Sequence, residues 1–448
     1  MKFKFSSLNR VLTFALAALT CLSFGALSSA RSQSLDAIER GRAHDMLKTL
    51  KDDIKKNYYD ASYRGVDVDA QFKAADEKIN QAKSLGQALG IIAQALLDFD
   101  DSHTFFLPPA RPVSVEYGWR MQMIGDNCYV TALKPGSDAE KKGLKVGDQV
   151  LGINKFQPTR KDYWKMEYYY NALAPQPGMS LIVQSPGGQA RELAIAANVK
   201  QGKRVLNFTG SDGGNDIWDY IRESENADKL ERHRFQQIGS VVVWKMPGFD
   251  FVPEQVDSLM SNRIKGHSAL ILDLRGNSGG YVITLERLAG YFFDHDIKIA
   301  DLKGRKEMKP MLAKTQGKDS FNGKLIVLVD SKSASASEIF ARLVQLEKRG
   351  TVIGDRTAGA VMQARSVSHE MGTDSIIIYG ASVTNADVIM SDGKSVEHVG
   401  VIPDELMVLT GADLAAQRDP VLARAAELAG VSVDPAKAGT IFPVEWKK

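Results

Sequence analysis

The segment KSASASEI, Lys332–Ile339, joins an apolar run, LIVLVD at Leu325–Asp330, to a helical pattern over 338–348. A small, polar, serine-dense turn between a buried strand and a helix places hydroxyls at the helix N-terminus. The unpaired N–H groups and positive dipole end found there suit an oxyanion. A serine also caps helices routinely. One serine would serve as a cap, but the turn holds Ser331, Ser333, Ser335 and Ser337. Cap and nucleophile both stand as readings of this segment.

The surrounding pattern is that of an α/β layer fold. VVVWKM (241–246), ALILDL (269–274), LIVLVD, TVIGD (351–355) and SIIIYGASVT (375–384) read as strands. Helical patterns over 252–265, 281–293 and 338–348 alternate with them, which predicts a partly parallel sheet. Upstream, Ile38, Met46, Leu47 and Leu50, then Ile91, Ile92 and Leu96, recur at helical spacing. The loop 98–112, DFDDSHTFFLPPARP, is closed by prolines. Residues 114–200 are rich in strand and turn signals, including a hairpin across Pro186-Gly187-Gly188. The whole reads as a multidomain α/β chain. The predicted divisions are a signal peptide (1–30), a helical N-terminal region (31–112), a β-rich domain (113–200), a polar linker or excursion (201–236), an α/β core (237–410) and a C-terminal helix and tail (411–448).

The first thirty residues are set apart by charge and hydropathy. Lys2, Lys4 and Arg10 precede an apolar stretch, Val11–Leu27, and Ser28-Ser29-Ala30 offers small residues for cleavage. Export to the periplasm or beyond the cell is the expectation, with no membrane span left after cleavage. Cleavage would leave Cys128 as the only cysteine, so no intrachain disulfide is expected. A net charge of +3 gives no reason to expect a nucleic-acid partner.

A nucleophilic serine needs a base. Of seven histidines, His103 sits in the loop DDSHTFF, and His398 adjoins Glu397 in SVEHVGVIPD. Lys332 is a further local candidate. DLRGNSGG (273–280) leaves a predicted strand with glycines that allow close backbone approach, as an oxyanion site requires. No GK[ST] follows, which argues against a phosphate loop. There is no HExxH and no cysteine pair, so neither a metal nor any other cofactor is expected.

Four ordered segments, DSHT (101–104), the β-rich unit, DLRGNSGG and SASASEIFARLVQ (333–345), resemble the tail-specific, or carboxy-terminal processing, serine peptidases. GDRTAG (354–359) and SVEHVGVIPD (395–404) extend the likeness. The resemblance implies a ClpP/crotonase-like α/β peptidase core carrying a PDZ domain at 113–200, with GLKVGDQVLGIN as that domain's signature. It puts the nucleophile at Ser335 and the oxyanion donors at the N–H groups of Gly280 and Ala336. It also puts a peptide-carboxylate loop at Tyr117, Gly118, Trp119 and Arg120. Members of the Ser–Lys type place a lysine 25 residues after the nucleophile. Here that position is Ala360, and no lysine lies between Lys348 and Lys394. The tricorn-core-like branch uses Ser, His and Glu, which implies Ser335 as nucleophile, His103 as base and Glu397 as orienter. The implied activity is that of an exported serine endopeptidase that cleaves peptides or unstructured protein segments through an acyl-enzyme. The rivals are an inactive scaffold of the same fold that binds peptides or apolar ligands, and an esterase, for which no GxSxG elbow is present.

Overall fold

The computed structural model describes residues 35–110, 113–201, 232–372 and 376–446. The predicted signal peptide and nearly all of the predicted linker lie outside these residues. Among those described, no helix is long and apolar enough to cross a membrane.

The N-terminal stripes form three helices, α1 (Ala37–Asn57), α2 (Val68–Gln81) and α3 (Leu85–Leu97). Asp36, Asp67 and Ser84 cap them, each side chain accepting from an N–H three residues on. Their apolar faces enclose Leu50, Ile54, Tyr58, Phe72, Ile79, Ile92 and Leu96. The same cluster takes in Phe106, Tyr379, Ala381 and Val383. The helices therefore buttress β1 (Phe105–Leu107) and the strand it pairs with, Ile377–Met390.

Residues 113–201 hold a five-stranded antiparallel sheet whose edge is β2 (Trp119–Ile124). Trp119, Val130, Ile153, Leu181 and Val183 form its core.

The central sheet runs through β3 (Val241–Lys245), β4 (Ala269–Asp273), β5 (Lys324–Val329) and β6 (Thr351–Gly354), all parallel. Its strands are apolar on both sides because helices cover both faces. Val242, Trp244, Leu270, Leu272, Val327 and Val329 pack toward the helices Val282–Ala289 and Ala336–Leu346. The alternate residues, Val241, Val243, Ala269, Ile271, Ile326 and Leu328, pack toward Val421, Leu422, Ala425 and Ala438. An antiparallel edge strand, Arg234–Ile238, begins this sheet across the expected boundary between linker and core at 236. A second sheet contains β7 (Met362–Met371) and β8 (Ile377–Met390), paired antiparallel, with Ile297–Lys303 and Met311–Ala313 beyond β8. None of β7, 297–303 and 311–313 was expected. The C-terminal helix expected over 413–430 is two helices, Gly411–Ala415 and Pro420–Leu428. They break where Asp419 caps the second and Pro420 opens it. A further helix, Pro435–Thr440, occupies part of the expected tail.

Candidate active site

The loops at the carboxyl ends of β3, β4, β5 and β6 converge, the usual place for a site on a parallel sheet. After β5, Asp330 Oδ1 accepts from the N–H groups of Lys332 (2.9 Å) and Ser333 (3.1 Å) in its own turn. It also accepts from Gly276 N–H in the loop after β4, at 2.9 Å. The serines then divide their work. Ser333 Oγ donates to Leu274 O at 2.8 Å, and Ser337 Oγ donates to Asn277 O at 2.9 Å. Ser331 Oγ donates to Met123 O on β2. Ser335 Oγ makes no capping bond and has no hydrogen-bond partner among the described residues.

Ser335 also stands apart in its backbone, with φ 54° and ψ −119°. This region costs an L-residue on the order of 1–3 kcal/mol and persists only where the surroundings impose it. Here Ser335 N–H donates to Ala360 O at 2.8 Å and to Glu338 Oε2 at 3.1 Å. Ala334 N–H donates to Asn277 O at 3.0 Å. Gly279 presses against the turn from the other side: a Cβ there would stand 2.6 Å from Ser335 Cβ.

Asn277 is buried and shapes the Gly-rich loop, donating from Nδ2 to Met246 O (3.0 Å) and accepting from Gly279 N–H (2.9 Å). Phe249 N–H donates to Gly279 O at 2.7 Å, and Tyr281 N–H donates to Phe249 O at 3.2 Å. The N–H groups of Gly280 and Ala336 are left without an acceptor among the described residues. These are the two that the resemblance nominates as oxyanion donors.

His103 precedes β1. Asp101, buried, holds its backbone by accepting from the N–H groups of His103 (3.0 Å) and Thr104 (2.7 Å) and from Thr384 Oγ1 (2.6 Å). The imidazole does not touch Glu397 directly, as a simple triad would have it. Ser102 stands between them. Its Oγ donates to Glu397 Oε2 at 2.9 Å and lies 2.7 Å from His103 Nδ1. A hydroxyl has one proton, and with Glu397 ionised it points to the carboxylate, so Nδ1 carries the hydrogen that donates to Ser102. That fixes the tautomer with the lone pair on Nε2, which has no partner among the described residues. Burial pushes the His103 pKa below the ordinary histidine value, against the pull of Asp101. Burial thereby favours the neutral ring.

Glu397 is fastened at both ends. Oε1 accepts from Ser102 N–H at 2.8 Å, and Oε2 from Val361 N–H at 2.7 Å. Ala360 and Val361 thus join the two halves of the site: the carbonyl of Ala360 holds Ser335, and the N–H of Val361 holds Glu397. The position where a dyad lysine was sought is a backbone bracket. In this conformation Ser335 and His103 are not hydrogen-bonded to each other.

The other local bases are occupied. Lys332 Nζ donates to Glu167 at 3.1 Å, and His398 Nε2 donates to Asp100 O at 2.9 Å. Sequence reading missed Ser102, whose partner lies 295 residues away, and Glu338. Glu338 is fully buried beneath the turn and accepts from Thr357 Oγ1 (2.5 Å), Gly359 N–H (2.8 Å), Ala360 N–H (2.9 Å) and Ser335 N–H (3.1 Å).

The four residues nominated for a carboxylate loop have separate fates. Tyr117 Oη donates to Tyr170 O at 3.3 Å. Gly118 packs so closely on Ser137 that a Cβ there would lie 2.6 Å from Ser137 Cβ. Trp119 is buried in the unit's own core. Arg120 donates to Glu445 O at 3.1 Å and covers the Trp446 ring at 4.7 Å. Along β2 the carbonyls of Met121 and Met123 accept from Tyr163 Oη (2.6 Å) and Ser331 Oγ. The β-rich unit also grips the loop after β6: Arg160 pairs with Asp355 at 2.9 Å, and Gly125 N–H donates to the same carboxylate at 2.8 Å.

Residues 237–407 match the model of "Peptidase family S41". The chain is 25% identical over 355 residues to the "Tail-specific protease" of Haemophilus influenzae, a match spanning 75% of this chain and 47% of that protein. It is 23% identical over 341 residues to the "Carboxyl-terminal-processing peptidase 1, chloroplastic" of Arabidopsis thaliana, spanning 72% of this chain and 63% of the relative. The chain therefore spans roughly half to two thirds of the length of these relatives. The fold is similar to that of mature CPAF, with a TM-score of 0.61 at 14% identity over 85% of this chain and 95% of the other. The chain has a mixed α/β fold, matches peptidase family S41 over residues 237–407, and resembles the tail-specific, carboxyl-terminal-processing peptidases.

Proposed function

We propose that the protein is a serine endopeptidase that cleaves peptides or unstructured protein segments, with Ser335 as nucleophile and His103 as general base. The observation that carries this reading is the state of Ser335. Among the described residues, it alone of the turn's four serines has a hydroxyl with no hydrogen-bond partner, on a strained backbone, and the N–H groups of Gly280 and Ala336 in the adjoining loops have no acceptor. Substrate closure brings His103 Nε2 to Ser335 Oγ, since such bonds often tighten only in the loaded enzyme. Nε2 takes the hydroxyl proton as Oγ bonds to the scissile carbonyl carbon. The carbonyl oxygen becomes an oxyanion facing Gly280 and Ala336, where each donor is worth roughly 3–4 kcal/mol. The C–N bond then breaks, and His103 returns the proton to the leaving amine. Water, deprotonated by the same nitrogen, hydrolyses the acyl-enzyme. Ser102 carries the orienting effect of Glu397 to the ring, so the working set is a relay of four side chains. Residues 113–200 read as a PDZ module whose β2 carbonyls at Met121 and Met123 are held by Tyr163 and Ser331 in this conformation, so capture of an extended segment there requires those contacts to open, and the core is ClpP/crotonase-like. The basic, then apolar, N-terminal sequence supports export.

The primary test is hydrolysis of an unstructured polypeptide by the purified protein, with cleavage sites mapped by mass spectrometry; the absence of any cut would reject the reading. Two further results are expected. Ser102→Ala should lower kcat/KM by a factor on the order of 10^2, and Glu397→Gln should cost less than His103→Ala. Steady-state kinetics on one peptide checks both, and an unaltered rate in Ser102→Ala would remove the relay. The pH profile follows from burial of the ring. Since the His103 pKa is lowered, the base stays neutral down to a more acidic pH than a free histidine would. The acid limb of kcat/KM should then have its midpoint below 6.5, the ordinary histidine value. A midpoint above that value contradicts the burial argument.

A further inference from the structure

One carboxylate at the site has no part in the chemistry above. Asp250 lies in the loop after β3, directly after Phe249, which is bonded on both sides to the Gly-rich loop. Its two oxygens rest against two glycines. A Cβ on Gly280 would stand 2.8 Å from Asp250 Oδ1, and a Cβ on Gly248 would stand 2.8 Å from Oδ2. The seat of this carboxylate therefore depends on two missing side chains. One of them belongs to the residue whose N–H is a candidate oxyanion donor.

No hydrogen bond or ion pair to the Asp250 carboxylate is present among the described residues, and Asp250 is exposed. Its partial burial pushes the carboxyl above the ordinary aspartate value. An uncovered anion beside a developing oxyanion opposes the reaction through like-charge repulsion. A cation laid over it reverses that effect. Tyr281, the residue after Gly280, is 56% exposed and adds an aromatic ring to the same rim. Such a ring suits a guanidinium or ammonium group.

Resting on Ser335 as the nucleophile, we propose that Asp250 is a specificity-determining residue that receives a Lys or Arg side chain of the polypeptide substrate next to the scissile bond. The cation both anchors the chain and screens the carboxylate from the oxyanion at Gly280.

The test uses a peptide set built on a mapped cleavage site, in which each flanking residue in turn is Lys, Gln or Glu. At one position kcat/KM should be about tenfold higher for Lys than for Gln, with Glu lowest. In Asp250→Asn the Lys-to-Gln ratio should fall to near one, and in Asp250→Glu the preference should survive in part. Binding of the same peptides to the Ser335→Ala variant, followed by fluorescence anisotropy, should show the preference without chemistry. Hydrolysis with no Lys preference at any position, or with a preference that persists in Asp250→Asn, overturns the assignment to Asp250 alone. Lys-preferring binding that depends on Asp250, but with no hydrolysis by the unaltered protein, supports the cation seat and rejects the peptidase reading. Binding of no peptide rejects both.

Discussion

Ser335→Ala should lower peptide hydrolysis by a factor on the order of 10^6, the loss seen when the nucleophile of a serine peptidase is removed. The fold should hardly notice. The Ser335 hydroxyl has no hydrogen-bond partner among the described residues, so its removal leaves no buried group unpaired. The strained backbone is held by the main-chain bonds of Ser335 to Ala360 and of Ala334 to Asn277, and by Glu338, none of which involves Oγ. The melting temperature should therefore move by the small amount typical of a substitution away from packed or bonded groups, within about 0.5 kcal/mol in stability. Turnover assays and a thermal melt on the same preparation check the pair. Activity retained with an unchanged melt would assign the chemistry elsewhere.

Glu338 should show the opposite balance, with a large effect on stability and an indirect one on turnover. Four donors, from the Ser335 turn and from the 357–360 loop, converge on its carboxylate. Alanine would leave them buried and unpaired, at a cost of about 3–5 kcal/mol when several buried donors lose their acceptor together. Glu338→Gln is no conservative change either: glutamine offers one accepting oxygen, and its NH2 would face part of the donor set. That variant should therefore be destabilised and should lose activity as the Ser335 turn relaxes. Denaturant midpoints measured beside kcat separate the two effects.

This carboxylate also sets a pH dependence. Burial pushes Glu338 up to about 7 from an ordinary 4.5, against the four donors that pull it down. A pKa raised in the folded state means that the folded chain holds the proton more tightly than the unfolded one. The stabilising contribution is complete below pH 4.5 and is lost as the pH rises through about 7. Urea midpoints at pH 5 and pH 8 should differ in that sense, and Glu338→Gln should flatten the difference.

Much of the fold was legible because parallel strands buried on both faces advertise themselves. VVVW, ALIL and LIVLV are continuous apolar runs, and each is a strand. β7 was not foreseen. Its sequence, MQARSVSHEM, holds few apolar residues, and it is a strand because β8 supplies its hydrogen bonds over the full length. The C-terminal pattern hid a helix break for a local reason: Asp419 and Pro420 are a cap and a first-turn residue, which start a helix as firmly as they stop one. At the site, the residue types and loops marked the serine-dense turn and His103, and the resemblance to the processing peptidases singled out Ser335 and Glu397. Ser102 adjoins His103 in the chain, yet nothing in DDSH announces that its hydroxyl meets a carboxylate from the far end of the core. Glu338 reads as an ordinary first-turn acid of a helix, and only the return of the 357–360 loop above it makes it a buried anchor. Long-range partners of this kind are properties of topology rather than of local pattern.

Catalysis by Ser335 requires proton transfer from its hydroxyl to His103, two groups that are not hydrogen-bonded in this conformation. Labelling with a fluorophosphonate probe addresses it most directly, because the probe reacts only with a serine whose proton can be taken. The modified residue is read by peptide mass spectrometry. The predicted result is labelling confined to Ser335 and lost in His103→Ala, with the melting temperature of that variant preserved. Labelling at Ser335 that survives removal of the imidazole, or no labelling of the intact protein, would contradict the account.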